Sequence, residues 1–123
     1  MNLNKIFLLN LLRLARFDKP IGIFLLLWPT LTALLVASNQ LPDIKLIIIF
    51  TVGTILMRSA GCIANDLADQ NIDKYVKRTK NRQLVLKNIT NQTAFIFLLS
   101  LLALSFFLVL QLNIYTIYLS ILA

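Results

Sequence analysis

The sequence predicts an all-α fold, a polytopic transmembrane helix bundle with three full spans and the start of a fourth, and three observations carry that reading. The first is composition. Of 123 residues 59% are hydrophobic and the mean hydropathy is +0.81, more than a soluble domain of this size needs for its core. The second is the run pattern: 21–38 carries no charge, 46–64 carries only Arg58, and 93–112 carries none. Each run is near the length that crosses ~30 Å of hydrocarbon at ~1.5 Å per residue. The third is how the cations sort. Lys5, Arg13, Arg16 and Lys19 precede the first span, Lys74, Lys77, Arg78, Lys80, Arg82 and Lys87 follow the second, and only Lys45 sits between them in the outer turn. The positive-inside rule then places the N-terminus and an Asp-rich, basic loop over 65–92 in the cytoplasm and the 39–45 turn outside.

Residues 1–19 set Ile6, Phe7, Leu11 and Leu14 against Lys5, Arg13 and Arg16, the pattern of an amphipathic helix lying at the membrane interface. The arginines interrupt the apolar run and no small-residue cleavage site follows, so a signal peptide is not expected. Pro20 and Gly22 punctuate the entry to the first span, where proline fits a first helical turn. Trp28-Pro29 lies inside that span and should kink it. Leu41-Pro42-Asp43 makes the outer turn. Gly53, Ala60 and Gly61 along the second span suit close helix packing. Asn88-Ile89-Thr90 and Asn91-Gln92-Thr93, on the cytoplasmic side, read as caps for the third span rather than glycosylation sites. The fourth apolar segment begins at Asn113 and is about half a span long, so a fragment of a longer protein is expected. The net charge of +7 follows topology rather than a soluble basic face, which argues against a nucleic-acid partner. With one cysteine, Cys62, and no histidine, neither an intrachain disulfide nor a zinc site of the usual kind is expected.

The chain has five acidic residues, all Asp, and three of them, Asp66, Asp69 and Asp73, follow Asn65 where the second span meets the cytoplasm. On a helix at about 100° per residue with Asn65 at zero, Asp69 falls near 40°, Asp73 near 80° and Asp66 near 100°. All four are thus expected on one face. Two readings stand: a helix end whose polar side chains face water, or oxygen ligands for a hard divalent cation that carries a phosphorylated ligand. The scarcity of carboxylates elsewhere, the regular i, i+4, i+8 spacing and the cationic run that follows favour the second.

Arg58 lies seven residues before Asn65, near 20° on the same wheel. An intramembrane arginine usually faces a partner or a polar cavity. It either reaches along the helix as an ion pair to the Asp side chains or orients an anionic substrate such as a carboxylate. The run 74–87 holds six cations in fourteen positions. Alone, such a run anchors a protein to anionic lipid; beside carboxylates that hold Mg²⁺, it suits stabilisation of a diphosphate leaving group. A diphosphate at the cytoplasmic interface with its tail in the bilayer is a polyprenyl diphosphate.

Arg16-Phe17-Asp18-Lys19-Pro20-Ile21-Gly22, Leu27-Trp28-Pro29-Thr30, Met57-Arg58-Ser59-Ala60-Gly61-Cys62, Asn65-Asp66-Leu67-Ala68-Asp69-Gln70-Asn71-Ile72-Asp73 and Val76-Lys77-Arg78-Thr79-Lys80-Asn81-Arg82 occur in that order. Together they resemble the N-terminal part of the UbiA-type intramembrane prenyltransferases, most closely those that prenylate 4-hydroxybenzoate in ubiquinone biosynthesis. The resemblance implies an all-α bundle of about nine transmembrane helices in the bacterial inner membrane, with two Asp-rich motifs holding Mg²⁺ and polyprenyl diphosphate. It implies ionisation of the diphosphate and attack of the allylic cation on the ring of 4-hydroxybenzoate, ortho to the hydroxyl. Carried over by position, Asn65, Asp69 and Asp73 are the metal ligands, Asp66 joins them in the catalytic group, and Lys77, Arg78 and Arg82 belong to the basic block. Arg58 is assigned to the substrate carboxylate as a hypothesis.

The family typically reads Arg-Pro-Leu after that block, whereas Gln83 stands here in place of the proline. No Asp or Glu follows Asp73, so the second Asp-rich motif is absent from this chain and half a metal site is expected of it, without transferase activity in isolation. A non-catalytic truncated membrane protein or gene relic is the alternative. The CDP-alcohol phosphotransferases, another class with Asp-rich membrane helices, require an Asp-Gly-x-x-Ala-Arg element that is not present.

Overall fold

A computed structural model of the protein describes residues 2–73, 75 and 89–123, with the backbone alone at 72 and 73. The described residues form α1 (Leu3–Leu14), α2 (Ile21–Ser38), α3 (Ile44–Asp73), α4 (Asn91–Val109) and α5 (Ile114–Leu122), and no strand. Three of these helices, α2, α3 and α4, are long and apolar enough to cross a membrane. Most of their apolar surface is exposed, as in Leu25, Val36 and Phe107 at 68%, 73% and 64%, the reverse of a helix packed into a soluble core and the natural state of one solvated by lipid.

Local chemistry explains most of the helix ends. α2 matches the uncharged run 21–38 and continues across Pro29. Just beyond its end, Asn39 takes a left-handed φ of 56°, a conformation asparagine tolerates better than most side chains. α4 starts behind Thr90, whose hydroxyl accepts the Thr93 N–H at 3.2 Å, so one of the two expected capping triplets supplies the cap. α5 is capped by Asn113, which accepts the Thr116 N–H at 2.9 Å. α3 extends well past the apolar run 46–64 and remains helical through Asp73, so the Asp-rich motif at 65–73 is helical rather than part of the loop expected over 65–92.

The chain divides into two compact units. The first comprises Met1–Pro20 and Ser59–Ser100. In it Leu14 and Ala15 at the end of α1, Ala60 and Ile63 of α3, Ile89 and Ala94 are buried. The second comprises Ile21–Arg58 and Leu101–Ala123, with Ile23, Leu27, Ile49 and Leu101 buried. Of the three small residues expected to permit close packing on α3, only Ala60 is buried. Among the described residues a Cβ added at Gly53 or Gly61 would meet nothing within 4 Å, so no close approach is made at those two glycines there.

Candidate functional site

In the first unit the buried side of α3 is set by Ser59, Ala60 and Ile63, at 0%, 2% and 0% exposure. With Asn65 at zero these three lie near 120°, 220° and 160° on the helical wheel. Asn65 and Asp69 fall on the opposite, exposed side. Asp66, near 100°, sits at the edge of the buried arc and is 3% exposed. The arc expected to present four polar side chains together is therefore divided: Asn65 and Asp69 face out, and Asp66 turns in. The side chain of Asp73 and the residues Lys77, Arg78 and Arg82 lie outside the described residues.

Asp66 is buried against a cation. Its Oδ1 accepts a hydrogen bond from Arg16 Nη2 at 2.7 Å, across a separation of 50 residues, with the two side chains 4% and 28% exposed. Arg16 itself is held in an unusual backbone state, φ 61°. It occupies the position after the α1 C-cap Ala15: the Arg16 N–H donates to the Arg13 carbonyl at 3.0 Å and the Phe17 N–H to the Leu12 carbonyl at 3.0 Å. This is the Schellman pattern, in which the left-handed residue is usually glycine. A side chain there costs roughly 1–2 kcal/mol, and here that side chain neutralises a buried carboxylate.

By sequence Arg16 is a topological charge and part of a family block, with no expected pairing to Asp66. One signal was available. An arginine stands where an amphipathic helix ends and a left-handed glycine would be ordinary, and Asp66 is the acidic residue farthest from Asn65 on the wheel.

In the second unit Arg58 packs over the entry to α2. A Cβ built on Gly22 would come within 2.5 Å of Arg58 Cζ and Nε and closer still to Nη2. Gly22 is therefore the surface on which the guanidinium rests, which gives a physical reason for glycine in the block Lys19-Pro20-Ile21-Gly22. The same unit contains an apolar hollow of about 700 Å³, with Thr30, Phe50, Thr54, Met57, Ser105 and Phe106 in its wall. The hydroxyls of Thr30, Thr54 and Ser105 donate to carbonyls one turn back in their own helices, so the wall presents mainly hydrocarbon.

Among the described residues no three metal-binding side chains of the His, Cys, Asp and Glu types converge. Asn65 and Asp69, one turn apart and exposed, offer one amide oxygen and one carboxylate. That donor set suits Mg²⁺, which keeps several waters and takes only one or two carboxylates along with substrate phosphates.

Residues 26–123 match the model of the UbiA prenyltransferase family. The chain belongs to this family. Over 109 residues this UbiA-family chain is 54% identical to the 4-hydroxybenzoate octaprenyltransferase of Tolumonas auensis, covering 89% of the chain and 38% of the relative. It is 52% identical over 108 residues to the enzyme of that name from Saccharophagus degradans, covering 88% and 36%, and 53% identical to that of Vesicomyosocius okutanii, covering 88% and 40%. The UbiA-family chain thus spans 36–40% of the length of these relatives. No solved structure matches it.

Proposed function

We propose that this chain supplies the first Asp-rich half of a Mg²⁺-dependent prenyltransferase that joins a polyprenyl group to the ring of 4-hydroxybenzoate, ortho to the hydroxyl, for ubiquinone synthesis. The observation that carries the proposal is the outward pair Asn65 and Asp69 on the last turns of a membrane-length helix, in a family whose relatives are named for this transfer. Asn65, Asp69 and, by its i+4 spacing, Asp73 would hold the metal. Mg²⁺ held by these residues would supply charge neutralisation for a departing diphosphate. Lys77, Arg78 and Arg82 bind the diphosphate oxygens as direct cationic donors. Arg58 holds the hydroxybenzoate carboxylate and so orients the ring, and Gly22 gives its guanidinium room to do so. Asp66, committed to Arg16, supports the site from behind rather than binding metal. The relatives' names, 4-hydroxybenzoate octaprenyltransferase, favour an octaprenyl donor. The basic flanks of the spans favour a multi-pass protein of the bacterial inner membrane with its N-terminus in the cytoplasm.

The test is a chimera in which residues 1–123 replace the corresponding part of the Tolumonas auensis relative, assayed with octaprenyl diphosphate, 4-hydroxybenzoate and Mg²⁺. Prenylated product that is lost on Asp69→Ala supports the proposal. A folded chimera without turnover, or turnover indifferent to Asp69→Ala, refutes it.

A further inference from the structure

We infer that the outward face of α1 is a binding surface for anionic phospholipid: Leu8, Leu9 and Leu12 enter the acyl boundary while Lys5 and Arg13, on the same face, reach the headgroup phosphates. Prenyl transfer plays no part in this, so it stands or falls apart from the proposed function.

The packing of α1 separates its faces. With Leu3 at zero and about 100° per residue, the side chains packed into the first unit, Asn10, Leu11 and Leu14, fall at about 340°, 80° and 20°. Leu8, Leu12, Lys5, Leu9 and Arg13 fall on the opposite side, at about 140°, 180°, 200°, 240° and 280°, and all five are exposed. Leu11 and Leu14, expected at the lipid interface, thus face protein, and a second apolar strip lies opposite them with two cations in it. Leucines on such a strip lower their free energy by leaving water. A lysine or arginine among them lays its stem along the apolar surface and keeps its charged end at the phosphates.

Two constraints place this face beside a bilayer. α1 has 12 residues and is not among the helices long enough to cross a membrane, so it either lies on one or stands away from it. Standing away is opposed by Arg16, two residues beyond α1, whose guanidinium donates to Asp66 Oδ1 at 2.7 Å. Asp66 comes two residues after the apolar run 46–64, where α3 leaves the hydrocarbon. The end of α1 is thereby held at headgroup level. Residues 15–20 then lead to the span α2, a reach of at most roughly 25 Å.

The class of lipid follows from charge. Lys5, Arg13 and Lys19 are exposed and make no ion pair among the described residues. Asp18 is the one carboxylate within residues 1–20. An excess of cations beside an apolar strip fits an anionic headgroup better than a zwitterionic one.

The experiment uses the full chain in nanodiscs, with Cys62→Ser and a fluorophore on Leu8→Cys. The quenchers are phosphatidylglycerol and phosphatidylcholine that carry the same acyl-chain nitroxide, used in turn at equal mole fraction. The ratio of the two quenching constants reads the local preference for anionic lipid. In the parent it should be about fivefold or more, the effect of one cation at the surface, and added salt should lower it. Lys5→Gln with Arg13→Gln should bring it near unity, while Lys45→Gln, at the far end of α3, should leave it unchanged. A fluorophore on Leu12→Cys gives the same reading should Leu8→Cys disturb α1. Equal quenching by the two lipids makes α1 a neutral interfacial helix and overturns the inference. A ratio that survives the paired substitution assigns the preference to other cations and overturns it as well. A fluorophore quenched by aqueous acrylamide but by neither lipid faces water, and one quenched by none of the three is covered by protein; either result overturns it too.

Discussion

Substituting Arg16 sets two energies against each other, and the structure gives their order. Truncating one partner of a buried ion pair costs about 3–5 kcal/mol, because the other charge is left uncompensated. Here Asp66 is almost fully enclosed but the Arg16 side chain is 28% exposed, so solvent screening reduces the loss to about 2–3 kcal/mol. Against that stands the left-handed backbone at φ 61°, which costs an L-residue roughly 1–2 kcal/mol and glycine almost nothing. Arg16→Ala keeps the strain and loses the pair, so it should destabilise by about 2–3 kcal/mol. Arg16→Gly loses the pair but sheds most of the strain, partly offset by the freedom glycine adds to the unfolded chain, so it should lie about 1 kcal/mol above Arg16→Ala and still below the parent. Reversible unfolding in mixed micelles of rising sodium dodecyl sulfate fraction, followed by helical circular dichroism, measures all three. A double-mutant cycle with Asp66→Ala should return a coupling of about 1–2 kcal/mol. An Arg16→Gly protein more stable than the parent, or a coupling near zero, would refute the reasoning, because either result makes the backbone rather than the pair dominant at this position.

Three other outcomes follow from single contacts. Gly22→Ala pushes the added carbon into the Arg58 guanidinium, whose flexible end can yield, so stability should change by about 1 kcal/mol or less, while in the chimeric transferase the KM for 4-hydroxybenzoate should rise with little change in kcat. Thr90→Ala removes the hydroxyl that caps α4 and should cost about 1 kcal/mol of stability in the same unfolding assay. Asn113→Ala removes the α5 cap, which accepts from both the amide and the hydroxyl of Thr116, and should lower helical content by circular dichroism, with Asn113→Ser retaining most of it.

The spans were legible because hydrocarbon length is a one-dimensional property of sequence. The uncharged run 21–38 coincides with α2, and the run 93–112 falls within three residues of α4 at either end. α3 overruns its apolar segment because apolar length records the membrane and not the helix. Its polar end, rich in Asp and Asn, stays helical to Asp73. Periodicity placed Asn65 and Asp69 on one face correctly, but it could not fix where that face stops. Only the burial of Ser59 and Ile63, two turns and one turn before Asp66, shows that the boundary falls between Asp69 and Asp66. Two contacts, Arg16 to Asp66 in the first unit and Arg58 over Gly22 in the second, join residues 50 and 36 positions apart. Beyond the arginine standing where a left-handed glycine would be ordinary, local pattern carries little information about such pairings, and they follow from how the helices pack.

The account depends most on the outward edge of α3 being a cation and diphosphate ligand. Electron paramagnetic resonance of Mn²⁺ titrated into the chain in nanodiscs, with and without inorganic diphosphate, tests this directly. The account predicts bound Mn²⁺ that increases with diphosphate and is abolished by Asn65→Ala with Asp69→Ala, while Asp66→Asn retains most of it. Mn²⁺ binding unaffected by the double substitution, or lost through Asp66→Asn alone in a folded chain, would contradict it.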